Sequence, residues 1–429
     1  MKTKTILLVI ILCIAGSCNH KKPVEAQRRH AGWVYNATIY EVNIRQYTPE
    51  GTFTAFIHHL PRLKELGVNI LWIMPVQPIG EEGRKGTHGS YYSIKNYTQI
   101  NPEFGTLDDF KKMVDIAHNA GMKVILDWVA NHTAHDAIWV TTHKDWYVTD
   151  SLGQIVSPYD WTDVAKLNYD NAGMRQAMQE AMIFWLKETD MDGFRCDVAG
   201  EVPTDFWEST VSELKKVKPD IFMLAEAENP ELNVNAFDAY YSWGMHHTMN
   251  AIAQGKANVN SLREELKKMS EFPEYAIPMH FTSNHDENSW NGTEFERMGD
   301  AAPTFAALAH ILPGIPLIYN GQEVGFNRRL EFFEKDLIDW NDPDNFTAFY
   351  QNLIQLKKTS EALFCQELGG KLEEIITNRP EEIFAFRRKV NDSEVVAFFN
   401  LSPDTVDFTF EENGVPSPMQ LLPWKYEVE

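Results

Sequence analysis

The sequence predicts an α/β fold: a (β/α)8 TIM barrel with a short insertion after strand 3, followed by a small C-terminal antiparallel β domain. Three observations predict it. Apolar, β-rich runs alternate with amphipathic helical stretches from residue 38 onward. Eight such runs can be counted, the number that closes a parallel barrel. They are mostly apolar and without alternation, as strands covered on both faces should be. A doubly wound open sheet is the rival, but no glycine-rich phosphate loop follows the first strand.

The runs, in order, are "TIYEVN" (38–43), "NILWIMP" (69–75), "KVILDWV" (123–129), "MDGFRCDV" (191–198) and "IFMLAE" (221–226), then "FDAYYSW", "AIPMHFTS" and "GIPLIYN". Between them lie helical stretches. "FTAFIHHLPRLKELG" ends in Gly67, and "TLDDFKKMVDIAHNAG" opens on a capping threonine with an acidic first turn. Further helices are expected at 172–188, after 204, and near 258–270, 299–311 and 344–360. A long irregular stretch, 132–170, separates strands three and four. After about 365 the pattern changes to short strands with turn residues between them, "EEIFAFRRKV", "SEVVAFFNLS" and "TVDFTFEEN". The expected organisation is a barrel over 33–362, including the short insert 132–170, and a β domain over 363–429.

The N-terminus reads as a targeting segment. Lys2 and Lys4 precede "ILLVIILCIA", and Ala15, Gly16 and Ser17 lead to Cys18. Residues 1–18 resemble a lipoprotein-type signal peptide with Cys18 as the lipidated residue, and 19–32 a polar tether. Asn19 is not the acidic residue that commonly retains such lipoproteins at the inner membrane. Export and an outer-membrane location, periplasmic or surface-exposed, are therefore expected, with membrane contact only through the lipid. No other stretch is long and apolar enough to span a bilayer.

The chain has 429 residues and a formal net charge of −22. That balance argues against nucleic acid, which calls for a basic patch, and is compatible with a neutral substrate. Of four cysteines, only Cys196 and Cys365 fall in the folded part, so neither a disulfide framework nor a zinc cluster is encoded. Nothing points to an organic cofactor.

In a parallel barrel, function sits at the carboxyl ends of the strands. Four ends here carry ionisable groups: Asp127 with His132 just beyond, Arg195 with Asp197, Glu226, and His285 with Asp286. Converging acids repel one another, a cost tolerated where a cation or a reaction requires it. Hard-cation binding and glycoside hydrolysis both want such a cluster. Phosphate-binding elements are missing at the later strand ends, where "TSNHDEN" and "YNGQE" stand instead, so the sugar reading is preferred.

At these residues the chain resembles the α-amylase family of glycoside hydrolases, family 13, over nearly its whole mature length. "DWVANH" (127–132) is similar to that family's D-x-x-x-N-H motif, and "GFRCD" (193–197) to G-F-R-x-D. "FMLAEAEN" carries the strand-five glutamate, and "TSNHDEN" (282–288) the N-H-D motif. "GIPLIYNGQEVG" (314–325) resembles the strand-eight signature. "YYSIKNYTQINPEFGT" (91–106) resembles the family's G-Y … N-P-x-F-G-T stretch, with Tyr91 at the glycine position.

The resemblance implies Asp197 as nucleophile, Glu226 as general acid and then base, and Asp286 as the group that orients sugar hydroxyls and favours a cationic transition state. It implies that His132 and His285 hydrogen-bond the reacting sugar, that Tyr92 is an aromatic platform, and that Asp127 holds Arg195, which favours the ionised form of Asp197. The implied function is retaining hydrolysis of α-1,4-glucosidic bonds in starch or maltodextrin. Two departures bear on substrate. Gly200 and Glu201 replace the Lys-His that follows the nucleophile in many starch-degrading members. "DVAGEVPTDFW" and "KLN" (166–168) instead resemble the neopullulanase and cyclomaltodextrinase branch. Neopullulanase-like cleavage or α-glucan transglycosylation is thus the second reading. An inactive glucan-binding protein is a third, opposed by the presence of all three acids. The resemblance also raises one Ca²⁺ site, for which Asn131, Asp163 and Asp170 are the available side chains; Ca²⁺ takes about six to eight oxygens.

Overall fold

The computed structural model describes residues 29–429 except 413. All eight predicted strands are present: β1 (Ile39–Val42), β2 (Ile70–Ile73), β3 (Lys123–Val129), β4 (Gly193–Asp197), β5 (Phe222–Ala225), β6 (Ala239–Tyr241), β7 (Ile277–His280) and β8 (Ile315–Tyr319). They form a closed parallel barrel in which β1 pairs with both β2 and β8.

Strand parity decides where each side chain goes. Ile39, Ile70, Ile125, Phe222, Leu224, Ile277 and Ile315 pack together in the barrel interior. Their alternates, among them Tyr40, Leu71, Val124, Leu126, Phe194, Cys196 and Met223, belong to a second core with the surrounding helices. The interior parity, carried one step further along β1, β3, β4 and β5, places Glu41, Asp127, Arg195, Asp197 and Glu226 inside the mouth. Cys196 falls on the helix side as a buried free thiol, raised by burial, and Cys365 is also free and buried.

Gly193, which opens β4, is required by its neighbour: a Cβ there would lie 1.9 Å from the Phe222 carbonyl oxygen of β5. The helix Leu107–Asn119 begins with a full capping box between Thr106 and Asp109, as its sequence predicts. The stretch after β3 is a compact excursion whose two-stranded ribbon pairs His132–Ala134 with Val164–Lys166.

Two expectations change. Residues 29–32 are not free tether: Arg29 lies over the Tyr275 ring, and His30 bonds Asp238 and the Tyr275 carbonyl at the barrel floor. The C-terminal domain holds more strands than its sequence shows. Besides β10 (Ile383–Val390), β11 (Ser393–Asn400) and β12 (Val406–Glu412), it contains β9 (Lys371–Glu374), β13 (Val415–Leu421) and β14 (Tyr426–Val428). Pro416 and Pro418 make β13 read as loop, yet β13 pairs only with β12 and so tolerates missing amide donors. The sheet β9–β10–β11–β14 packs Phe384, Phe386 and Phe399 against the helix Ala302–Ile311. Cys18 and the signal segment lie outside the described residues.

Candidate active site

The carboxyl ends of the strands surround a cleft of about 620 Å³ whose lining includes Tyr92, His132, Asp163, Asp197, Glu226, His285 and Asp286. Beneath it lies the fully buried Arg195. Nη1 donates to Asp127 Oδ1 at 2.9 Å and to Asp197 Oδ1 at 3.0 Å. Nη2 stands 2.8 Å from Glu226 Oε1, a close ion pair in which no N–H is aimed along the hydrogen-bond direction. One guanidinium therefore meets three carboxylates.

Asp127 is held from its other side: Oδ2 accepts from Trp72 Nε1 at 3.1 Å and from the Tyr92 hydroxyl at 2.9 Å. The Tyr92 oxygen is also 2.8 Å from His285 Nε2, and the two rings stack with centroids 5.3 Å apart. His285 Nδ1 reaches Glu41 Oε1 at 2.5 Å, and Nε2 lies 3.2 Å from Asp286 Oδ2. Burial opposes a charge on His285, but Asp286 and Glu41 together push it up to about 9. The ring is then an imidazolium at neutral pH, and both nitrogens donate. For His132, burial outweighs the pull of Asp163 and lowers it to about 4, so it is a neutral imidazole.

Burial pushes Asp197 well above the usual carboxylate range, and repulsion from Glu226 adds to this against the pull of Arg195. Glu226 is raised by burial as well, with Arg195 opposing. Arg195 does favour the ionised Asp197, as the resemblance implies, but burial outweighs it in the free protein. The physical cause is shared: two acids in one water-poor mouth, with a single guanidinium already engaged by Asp127.

Three contributions are not visible in the motifs. Glu41, the lone acid of β1, anchors His285, and burial raises its carboxyl. Val198 follows Asp197 with φ 37° and ψ 46°, a left-handed conformation that a β-branched residue avoids. That turn aims its N–H at Glu226 Oε2, at 2.7 Å. Trp161 and Trp290, from two loops, also line the cleft.

The calcium donors do not fit together. Asp163 is occupied by Lys85, whose ammonium lies 2.9 Å from Oδ1. Asp170 is exposed, and Asn131 is buried beside His132, with Nδ2 3.3 Å from the ring nitrogen Nδ1. Among the described residues, no group of three His, Cys, Asp or Glu side chains is arranged to hold a metal ion.

A closed eight-stranded parallel barrel with acids gathered at its carboxyl mouth is the frame of a large class of enzymes. The model of the α-amylase catalytic domain matches residues 26–362, and the chain belongs to the α-amylase family. It is 27% identical over 401 residues to the α-amylase MalA of Haloarcula japonica, covering 89% of this chain and 58% of that protein. It is 28% identical over 345 residues to a cyclomaltodextrinase of a Bacillus species, covering 73% of this chain and 60% of that one. Among solved structures, an α-amylase from Lactobacillus plantarum superposes with a TM-score of 0.83 at 29% identity, covering 92% of this chain and 99% of that one. The chain thus spans somewhat over half the length of the first two relatives and nearly all of the third.

Proposed function

We propose that the protein is a retaining glycoside hydrolase that cleaves α-1,4-glucosidic bonds in maltodextrins and related α-glucans. One observation carries the reading: Asp197 and Glu226 leave neighbouring strand ends and meet the same guanidinium. Cys196 and Ala225 are register partners, so the two acids follow on adjacent strands. Adjacent strands run about 4.8 Å apart. Asp197 Oδ1 and Glu226 Oε1 lie 3.0 and 2.8 Å from the two terminal nitrogens of that one guanidinium, a close placement in keeping with the short carboxyl separation of retaining enzymes, about 5–5.5 Å, rather than the wider gap that admits a water in inverting ones.

In the proposed reaction, Asp197, freed of repulsion when Glu226 carries the proton, attacks the anomeric carbon. Glu226 gives its proton to the departing glycosidic oxygen. Glu226, now a carboxylate, takes a proton from water, whose oxygen displaces Asp197. Asp286, with 37% of its side chain exposed, faces the cleft and can hold sugar hydroxyls. The arginine and the imidazolium fix the acids but leave the mouth rich in carboxylate, which favours an oxocarbenium-like transition state. Maltooligosaccharides and cyclodextrins fall within the proposed range, supported by the "DVAGEV" segment and the cyclomaltodextrinase relative. Export and lipidation at Cys18 are proposed with it, to be tested by palmitate labelling.

Proton NMR of maltoheptaose during cleavage tests the mechanism. The α-anomer should appear first, and initial release of the β-anomer overturns it. With Lys85 where a cation would sit, EDTA treatment should leave activity and melting temperature unchanged.

A further inference from the structure

Asp286 sits on a short segment with unusual backbone. The chain leaves β7 at His280, carries His285 and Asp286 to the mouth, and then winds through a five-residue π-helix, Glu287–Asn291. The Gly292 N–H closes that turn on the Glu287 carbonyl at 2.9 Å. A π-turn is rare and recurs at functional sites. The Asp286 side chain is 37% exposed and meets the protein at His285 Nε2, 3.2 Å away. Its direction is therefore set by the backbone that carries it.

Both ends of this segment meet one guanidinium. Arg297 belongs to the next helix, Glu294–Met298, and its side chain is 8% exposed. Nη2 donates to the Thr282 carbonyl at 2.6 Å, two residues past β7. Nε donates to the Gly292 carbonyl at 2.9 Å, where the π-helix ends. Nη1 donates to Asn250 Oδ1 at 2.7 Å, which ties the clamp to the helix Trp243–Ala253. Between the two ends, Glu287 is drawn into the same cluster. Its carboxylate lies 3.8 Å from Arg297 Nε and 3.2 Å from His246 Nε2, and accepts from Asn291 Nδ2 at 2.9 Å. Burial opposes its charge, but His246, Arg297 and Asn291 hold the carboxyl down to about 2. Neighbouring acids thus point opposite ways, Glu287 into the cluster and Asp286 into the cleft. The fork of arginine suits this work, because its donors leave in fixed directions that an ammonium cannot match.

We propose that Arg297 is a positioning residue for Asp286: by clamping the Thr282 and Gly292 carbonyls it fixes the span of the segment and so aims His285 and Asp286 at the reacting sugar. This rests on the hydrolase reading and deepens it. Arg297 does not line the cleft, and it acts on the reaction through the backbone it holds.

Arg297→Met removes the fork and keeps much of the bulk. Its kcat on maltoheptaose should fall about 100-fold, the loss that a misplacement of about 1 Å can produce, with KM changed far less. The same substitution in an Asp286→Asn background should cost less than about threefold, because the group it serves is already gone. Equal losses in both backgrounds make Arg297 merely structural and overturn the proposal. A second readout needs no turnover. Followed by NMR in histidine-labelled protein, the His285 ring should titrate near pH 9 in the parent, held there by Asp286 and Glu41, and clearly lower in Arg297→Met as Asp286 moves away. Arg297→Lys, which keeps the charge but cannot fork, should show both defects in weaker form, and it carries the test if the methionine variant does not fold. A parent that cleaves no glucan, with the His285 shift present, overturns the hydrolase and leaves the clamp. A parent that cleaves, with kcat and the His285 midpoint unmoved by the substitution, overturns the clamp and leaves the hydrolase.

Discussion

Strand β4 carries an aspartate at each end of its short run, and the barrel treats them oppositely. Asp192, just before the strand at the floor, is almost fully surrounded by donors. His118 Nε2 lies at 2.6 Å, Lys123 Nζ at 2.9 Å, the Val124 N–H at 2.9 Å and Lys218 Nζ at 3.0 Å. Burial works against its charge, but these donors hold its carboxyl well below the usual range. Asp197, at the mouth, shares one arginine with Asp127 and Glu226, and burial holds it well above that range. The floor matches each charge with partners; the mouth withholds them. A group left short of partners is expensive in the resting protein and available to a substrate.

The largest effects should separate these two ends. Asp197→Asn or Glu226→Gln should reduce maltoheptaose hydrolysis by at least about 10³-fold, as expected for losing a nucleophile or proton donor. Neither should lower the melting temperature, since each removes a charge that burial and repulsion already oppose. A clear drop would show that Arg195 needs that acid for folding. Asp192→Asn should do the reverse. It takes the carboxylate from His118 and Lys123 and removes one partner of Lys218, which keeps Asp190, and should cost about 2–3 kcal/mol of stability, while kcat stays near that of the parent. Its sign with pH follows. A depressed carboxyl gives stability above its unfolded value that is lost as pH falls, so the variant should differ least from the parent in acid.

Much of this contrast was legible in the sequence, for a physical reason. A charge inside an apolar strand is conspicuous, and alternation assigns it a side. Arg195 with Asp197, Asp127 and Glu226 are found that way. Glu41 offers the same signal in "TIYEV", but a single acid without a partner two residues on does not announce what it serves; His285 comes 244 residues later. The Val198 conformation leaves no trace in composition, because a valine after an aspartate reads as more strand. Trp161 and Trp290 depend on two loops meeting across a barrel, a tertiary fact. That Lys85, 78 residues before Asp163, pairs with it could not be foreseen, because no motif connects the two.

The mouth should also respond to alkali. His285 is raised to about 9 by Asp286 and Glu41 against burial, from an unfolded value near 6.5. Its contribution to stability is therefore complete below about pH 6.5 and disappears as pH rises through 9. Melting temperatures between pH 7 and 10 should fall more steeply for the parent than for His285→Gln. Parallel curves would mean that the imidazolium is not what binds Glu41 to Asp286.

The smallest effect is the most diagnostic of strain, and again β4 supplies the comparison. At its floor end stands Gly193, where no Cβ fits. Just past its mouth end stands Val198, at a φ of 37° where glycine would be at ease. Val198→Gly should relieve the backbone and raise stability by about 1 kcal/mol. The same freedom lets the peptide leave the orientation that aims its N–H at Glu226, so kcat should fall by a few-fold, with the pH dependence of kcat/KM displaced on the limb that reports the proton donor. Val198→Ala, which keeps a Cβ but loses the β-branch and so part of the strain of the left-handed turn, should lie between parent and glycine variant. A glycine variant both more stable and fully active would make the strained turn an accident of the loop rather than a support for Glu226.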